Sequence, residues 1–134
     1  MAEVDHYEKI ANQFEIRFLE VGTVLQPRNV VALEALAFAY TSAGEYHKGL
    51  AIDRKLVAAE PGNPMILYNL ACSLSLVGEI DECLQTLELA IAEGYEDWRH
   101  MERDPDLLNA RRDPRYGRLR NALRRPFRDT DDSA

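Results

Sequence analysis

The sequence repeats itself at an interval of 34 residues, and this constrains the fold more than any other feature. Pro27 and Pro61, Asn29 and Asn63, Leu33 and Leu67, Leu36 and Leu70, Ala37 and Ala71, Gly44 and Gly78, and Glu45 and Glu79 all match at that offset. A period of this length marks a supersecondary unit that buries its apolar face only by stacking on a neighbour.

Each unit spells two helices. In the first, Asn29 caps a helix whose Leu33, Leu36, Ala37 and Tyr40 fall at three- and four-residue steps, and Gly44 supplies the turn. A second helix runs from Tyr46 to about Ala59, with Leu50, Ile52, Leu56 and Val57, until Pro61 stops it. In the second unit Asn63 caps, Pro64 suits the first helical position, and Leu67, Leu70, Ala71 and Leu74 form the stripe. Gly78 turns the chain into a helix carrying Ile80, Cys83, Leu84, Leu87, Ala90 and Ile91, which Gly94 ends.

The pattern Leu-x-x-Leu-Ala-x-x-Tyr, then Gly-x-Tyr, then Pro (Leu33, Leu36, Ala37, Tyr40, Gly44, Tyr46, Pro61) resembles the tetratricopeptide repeat, and the second unit echoes it. The resemblance covers residues 29 to 94. It implies an all-α, right-handed solenoid of antiparallel helix pairs, with repeats at 29–62 and 63–96. The flanks read as a capping helix in 1–28, an arginine-rich capping segment at 97–128 and a disordered tail at 129–134. Three departures stand out. Gly49 replaces the family's usual Ala, and Tyr95 replaces the second closing Pro. Asp53 replaces a large apolar residue and is expected to tip to solvent, or else to pair with a C-terminal arginine.

Asp5 to Leu25 reads as one helix, with an apolar face of Tyr7, Ile10, Phe14, Phe18, Leu19 and Leu25 to cover the first repeat. Beyond Trp98, the pairs Asp104-Pro105 and Asp113-Pro114 are helix-start signals. They predict short turns and a last helix from Pro114 to about Arg124, ended by Pro126.

The net charge of −7 is unevenly spread. Met1 to Trp98 holds 16 acids against 6 bases, whereas Arg99 to Arg128 holds 10 arginines against 4 acids. Such a basic stretch suits nucleic acid or an acidic partner, or else pairs with the acidic body. No stretch is apolar enough to span a membrane, and the N-terminus lacks the pattern of a secretory signal, so a cytoplasmic protein is expected. Cys72 and Cys83 read as reduced packing residues. There is no phosphate-binding loop, nucleophile elbow or metal-ligand spacing, and His6, His47 and His100 lie far apart. The expectation is a non-enzyme without cofactor or metal.

By resemblance, the first helix of each repeat lines a binding groove. The implied partner-binding positions are Val31, Glu34, Phe38, Thr41 and Ser42, then Met65, Tyr68, Cys72, Ser75 and Leu76. This surface suits a protein or peptide partner offering a helix or an extended apolar segment. The carboxylate-gripping basic set of the chaperone-binding members is missing, with only Asn69 in place. Two alternatives remain: the chain's own flanking helix fills the groove, or copies of the chain self-associate, because two repeats are few for stability.

Overall fold

The computed structural model describes the backbone of residues 2–132 and the side chains of residues 6–124. Among these residues the chain is all-α, with eight α-helices and a single 3-10 turn. In order they are α1 (Ala2–Leu25), α2 (Val30–Ser42), α3 (Tyr46–Ala59), α4 (Pro64–Leu76), α5 (Ile80–Ala92), α6 (Trp98–Arg103), the 3-10 turn Pro105–Leu107, α7 (Leu108–Arg111) and α8 (Pro114–Asp132). The helices group into two compact units, Met1–Glu60 and Pro61–Ala134.

The repeat boundaries are made by matched local chemistry. Asn29 Oδ1 accepts the backbone N–H of Ala32, and Asn63 Oδ1 accepts those of Met65 and Ile66, so each cap satisfies donors that a helix start leaves open. At the far end of α2, Glu45 N–H donates to Tyr40 and Gly44 N–H to Thr41. After α4, Glu79 donates to Leu74 and Gly78 to Ser75. These paired bonds need a left-handed residue after the helix, and Gly44 and Gly78 supply it with φ of 79° and 85°.

In the first unit α2 packs against α1 and α3, burying Leu33, Leu36, Ala37 and Tyr40 with Ile52 and Leu56. Asp53 is buried here, not turned to solvent, because its position on α3 adjoins Ile52 on the packed side of the helix. Gly49 is buried too, and a Cβ built on it would come within 2.8 Å of Thr41 Oγ1. The equivalent pair in the second repeat, 34 residues on, is Ser75 with Cys83. Thr41 and Gly49 thus form a matched pair, the bulkier hydroxyl residue facing the smaller partner. Gly49→Ala alone is expected to yield no gain in urea unfolding. In a Thr41→Ala background the same change should recover the helix preference of alanine, about 1 kcal/mol.

The N-terminal helix departs from expectation. Tyr7, Ile10, Phe14, Phe18 and Leu25 do not pack on the repeat; they are exposed. The side of α1 turned to α2 instead carries Ile16, Leu19 and Thr23, all half-buried, and Glu20, whose carboxylate accepts the Tyr40 hydroxyl at 2.5 Å. The two sets lie about half a helical turn apart. Burial, with this hydrogen bond adding to it, pushes the Tyr40 phenol up to about 12.

The second unit holds α4, α5 and everything after them. Tyr95, Met101, Leu107, Ala110, Tyr116, Leu119 and Leu123 are all buried, so the arginine-rich segment is part of this core. Helix α8 continues through Pro126 to Asp132, where the sequence predicts an end at Pro126 and a disordered tail. Proline withdraws one hydrogen bond from the carbonyl four residues back. That residue, Ala122, is exposed, so water can satisfy the carbonyl. Residues 133–134 lie outside the described residues.

Candidate functional site

The predicted groove positions meet opposite fates in the two repeats. Val31 and Phe38 on α2 are 76% and 75% exposed, and Glu34 between them is exposed as well. Spaced at i, i+3 and i+7, the three share one side of the helix. Ser42 is exposed, and Thr41 is half-buried beside Gly49. Their counterparts on α4 are Met65, Tyr68, Cys72 and Ser75. Met65 is exposed, but Tyr68, Cys72 and Ser75 are buried, and Leu76 is half-buried.

The cover is the chain's own C-terminal segment. Tyr95 lies flat on Tyr68, ring centroids 4.4 Å apart and planes within 5°, and its hydroxyl donates to the Asp97 carbonyl. Asp104, itself buried, sits at the end of α6. Its Oδ2 accepts the Tyr68 hydroxyl at 2.6 Å and the Cys72 thiol at 3.6 Å, and lies 3.3 Å from His100 Nε2. Its Oδ1 caps the 3-10 turn by accepting the Asp106 N–H. Further along, the Ala110 N–H donates to Ser75 Oγ and the Asn109 amide donates to the Ser75 carbonyl. Arg111 ties the segment to itself through the carbonyls of Met101 and Asp104. Tyr68, Cys72 and Ser75, expected to meet a partner, are therefore corrected to internal contacts of the second unit. The reason is chemical: a phenol, a thiol and a hydroxyl in a row each find a polar mate in the following segment.

The electrostatics match a closed arrangement. Burial, followed by the neighbouring Cys72 and Asp104, pushes the Tyr68 phenol far above its usual value. Burial and Asp104 raise the Cys72 thiol well above its own, and burial raises Cys83 to about 12. Both cysteines are free thiols, and neither is poised as a nucleophile. Burial also raises the Asp106 carboxyl, with Asp104 adding to it. Cys72, Asp104 and Asp106 bring three potential metal donors within 4.8 Å of one another, a grouping the sequence reading missed. Each Asp104 oxygen already accepts internal donors, and the Cys72 thiol holds its proton firmly. The grouping is accounted for by the closure itself.

Several arginines of this segment are also engaged. Arg115 bridges Asp81 at 2.6 Å and Asp113 at 2.8 Å, which holds the Asp113 carboxyl down at about 2. Arg120 faces Glu102 at 3.3 Å, and Arg124 lies 4.6 Å above the Trp98 ring. Among the described residues no helix is long and apolar enough to cross a membrane.

No family model matches the chain. A chloroplastic protein of Arabidopsis thaliana is 29% identical over 76 residues, which covers 54% of this chain and 23% of that protein. The chain thus spans about a quarter of the curated relative it matches. A solved structure, MamA MSR-1 C2, superposes on 96% of this chain and 73% of its own with a TM-score of 0.64, at 17% sequence identity. The fold is a tetratricopeptide-like helical repeat. At that identity the likeness carries the architecture and not the function.

Proposed function

We propose that the protein is a non-catalytic interaction module that holds a helix or an apolar segment of a partner protein against the outward side of α2. The observation that carries this reading is the pair of large apolar side chains, Val31 and Phe38, each about three-quarters exposed on one side of a helix whose opposite side is core. Exposed apolar side chains gathered on one side of a helix supply the contact area that an interaction surface needs. Glu34 between them adds a single acid that favours a segment with a basic residue at that position. In its own unit Met65, exposed at the start of α4, offers an adaptable apolar contact.

Internal engagement of Arg111, Arg115, Arg120 and Arg124 supports a structural role for the basic segment over phosphate binding. The buried, protonated thiols and the carboxylate already satisfied by its neighbours support a module without catalysis.

The test is capture of partner protein from the host's extract by the wild type and by Val31→Glu/Phe38→Glu, with circular dichroism to verify folding. Both residues are exposed, so the variant should keep its helix content. Its affinity for the captured protein should fall at least tenfold, about 1.4 kcal/mol or more. Raising the salt to about 0.5 M should leave wild-type capture largely intact, since an apolar contact is little screened. Unchanged capture by the variant, or recovery of nucleic acid alone, would refute the reading.

A further inference from the structure

The side of α1 that faces away from α2 carries an unbroken apolar stripe. Tyr7, Ile10, Phe14, Phe18, Val21 and Leu25 follow one another at three- and four-residue steps over the length of the helix. Phe14 and Phe18 are 74% and 70% exposed. Monomeric proteins rarely leave a contiguous apolar patch beyond a few hundred Å² open, and a stripe of six such side chains reaches that scale. The stripe is distinct from the Val31 and Phe38 surface of α2, and this inference stands independently of the reading given for that surface.

The flanks of the stripe differ in charge. By helical position, Glu8 and Glu15 border it on one edge, while Gln13 and Arg17 border it on the other. A matching receptor exists in the second unit. Between α5 and α8 runs an open groove of about 350 Å³ with Leu84, Ile91, Leu119 and Ala122 on its floor and sides. Its α5 wall carries Glu88, and its α8 wall carries Arg118. Arg115, also on the α8 wall, is neutralised by Asp81 and Asp113, but Arg118 has no carboxylate within ion-pair distance among the described residues. One acidic and one basic edge on the helix therefore meet one basic and one acidic wall in the groove.

We infer that the outer stripe of α1 of one copy docks in the α5–α8 groove of a second copy, with Glu15 toward Arg118 and Arg17 toward Glu88. The two surfaces are different patches of the same chain, so copies join stripe to groove, either reciprocally in a closed pair or head to tail in a longer array. Association should rise with concentration, and it should weaken with salt through its charged edges.

Sedimentation velocity over a concentration series of the full chain tests this. The wild type should pass from monomer to dimer or larger species. Phe14→Glu/Phe18→Glu loses the stripe and keeps the groove; Arg118→Glu/Ala122→Glu loses the groove and keeps the stripe. All four positions are exposed, and circular dichroism should find both variants as helical as the wild type. Each variant alone should be monomeric, with apparent association weakened at least tenfold. Mixed together they should form a one-to-one pair and nothing larger, because only one stripe and one groove remain. Glu15→Arg combined with Arg118→Glu should restore at least part of the association that either change removes. A wild type that is monomeric throughout would overturn the proposal. So would a groove variant that still dimerises, since the stripe would then be pairing with itself, and so would a mixture that stays monomeric, the stripe then belonging to a different protein.

Discussion

Replacing Asp104 with alanine is expected to destabilise the protein by about 3 kcal/mol, seen as a fall of roughly 10 °C in the thermal midpoint. The Tyr68 hydroxyl, on a side chain only 2% exposed, would lose its acceptor with no route to water. An orphaned buried donor costs about 1–3 kcal/mol. Losing the cap on Asp106 adds about 1 kcal/mol. Asp104→Asn keeps one acceptor oxygen, enough for the Tyr68 hydroxyl or the Asp106 N–H but not for both, and should lose less than the alanine variant. Because most of the cost lies in the orphaned phenol, Tyr68→Phe combined with Asp104→Ala should be less destabilised than the sum of the two single changes. Faster labelling of Cys72 than of Cys83 by a thiol reagent in Asp104→Ala would place the loosening at the covering segment. Equal stability of Asp104→Ala and the wild type would mean that the carboxylate does not hold the segment down.

Removal of everything after Gly94 should have the largest effect of all. The missing segment supplies Tyr95, Met101, Leu107, Tyr116, Leu119 and Leu123 to the core of the second unit. At about 1.5–3 kcal/mol for each large apolar side chain buried, the loss is on the order of 10 kcal/mol. That is comparable to the whole stability of a domain, about 5–15 kcal/mol. The shortened chain would also expose Tyr68, Cys72 and Ser75 on α4. Its second unit should lose cooperative unfolding, and the protein should bind hydrophobic dyes and aggregate. A shortened chain that still unfolds in one sharp transition at the original midpoint would contradict the assignment of this segment to the core.

Much of the architecture is legible in the sequence because it is local. Asn29, Asn63, Gly44 and Gly78 act within four residues of themselves, so the helix starts and stops read directly. The core leucines recur with the helical period. Orientation between helices is harder to read. Helix α1 has two apolar sides, and periodicity favours the richer one, with Tyr7, Phe14 and Phe18, as the packing side. The bond from Tyr40 to Glu20 and the modest set Ile16, Leu19 and Thr23 face α2 instead. Asp53 eludes sequence reading for a related reason, since a carboxylate at a helical position says nothing of what surrounds it. The closure of α4 is hidden because it joins Tyr68 and Cys72 to Asp104, more than thirty residues on. Asp104-Pro105 announces a helix start through one carboxylate oxygen; the role of the other oxygen depends on tertiary structure. The 34-residue comparison does hold a clue. Glu34 and Phe38 in the first repeat become Tyr68 and Cys72 in the second, an exchange of a charged and a large apolar residue for ones that can be buried.

Hydroxyl-radical footprinting read by mass spectrometry, on the free protein and on its complex with the captured partner, tests the central claim most directly. In the free protein Phe38 should oxidise readily while Tyr68 resists. In the complex Phe38 should become protected and Tyr68 should stay silent, because α2 meets the partner and α4 meets its own C-terminal segment. A Phe38 that oxidises equally in both states, or a Tyr68 that oxidises in the free protein and is protected only by the partner, would contradict the account.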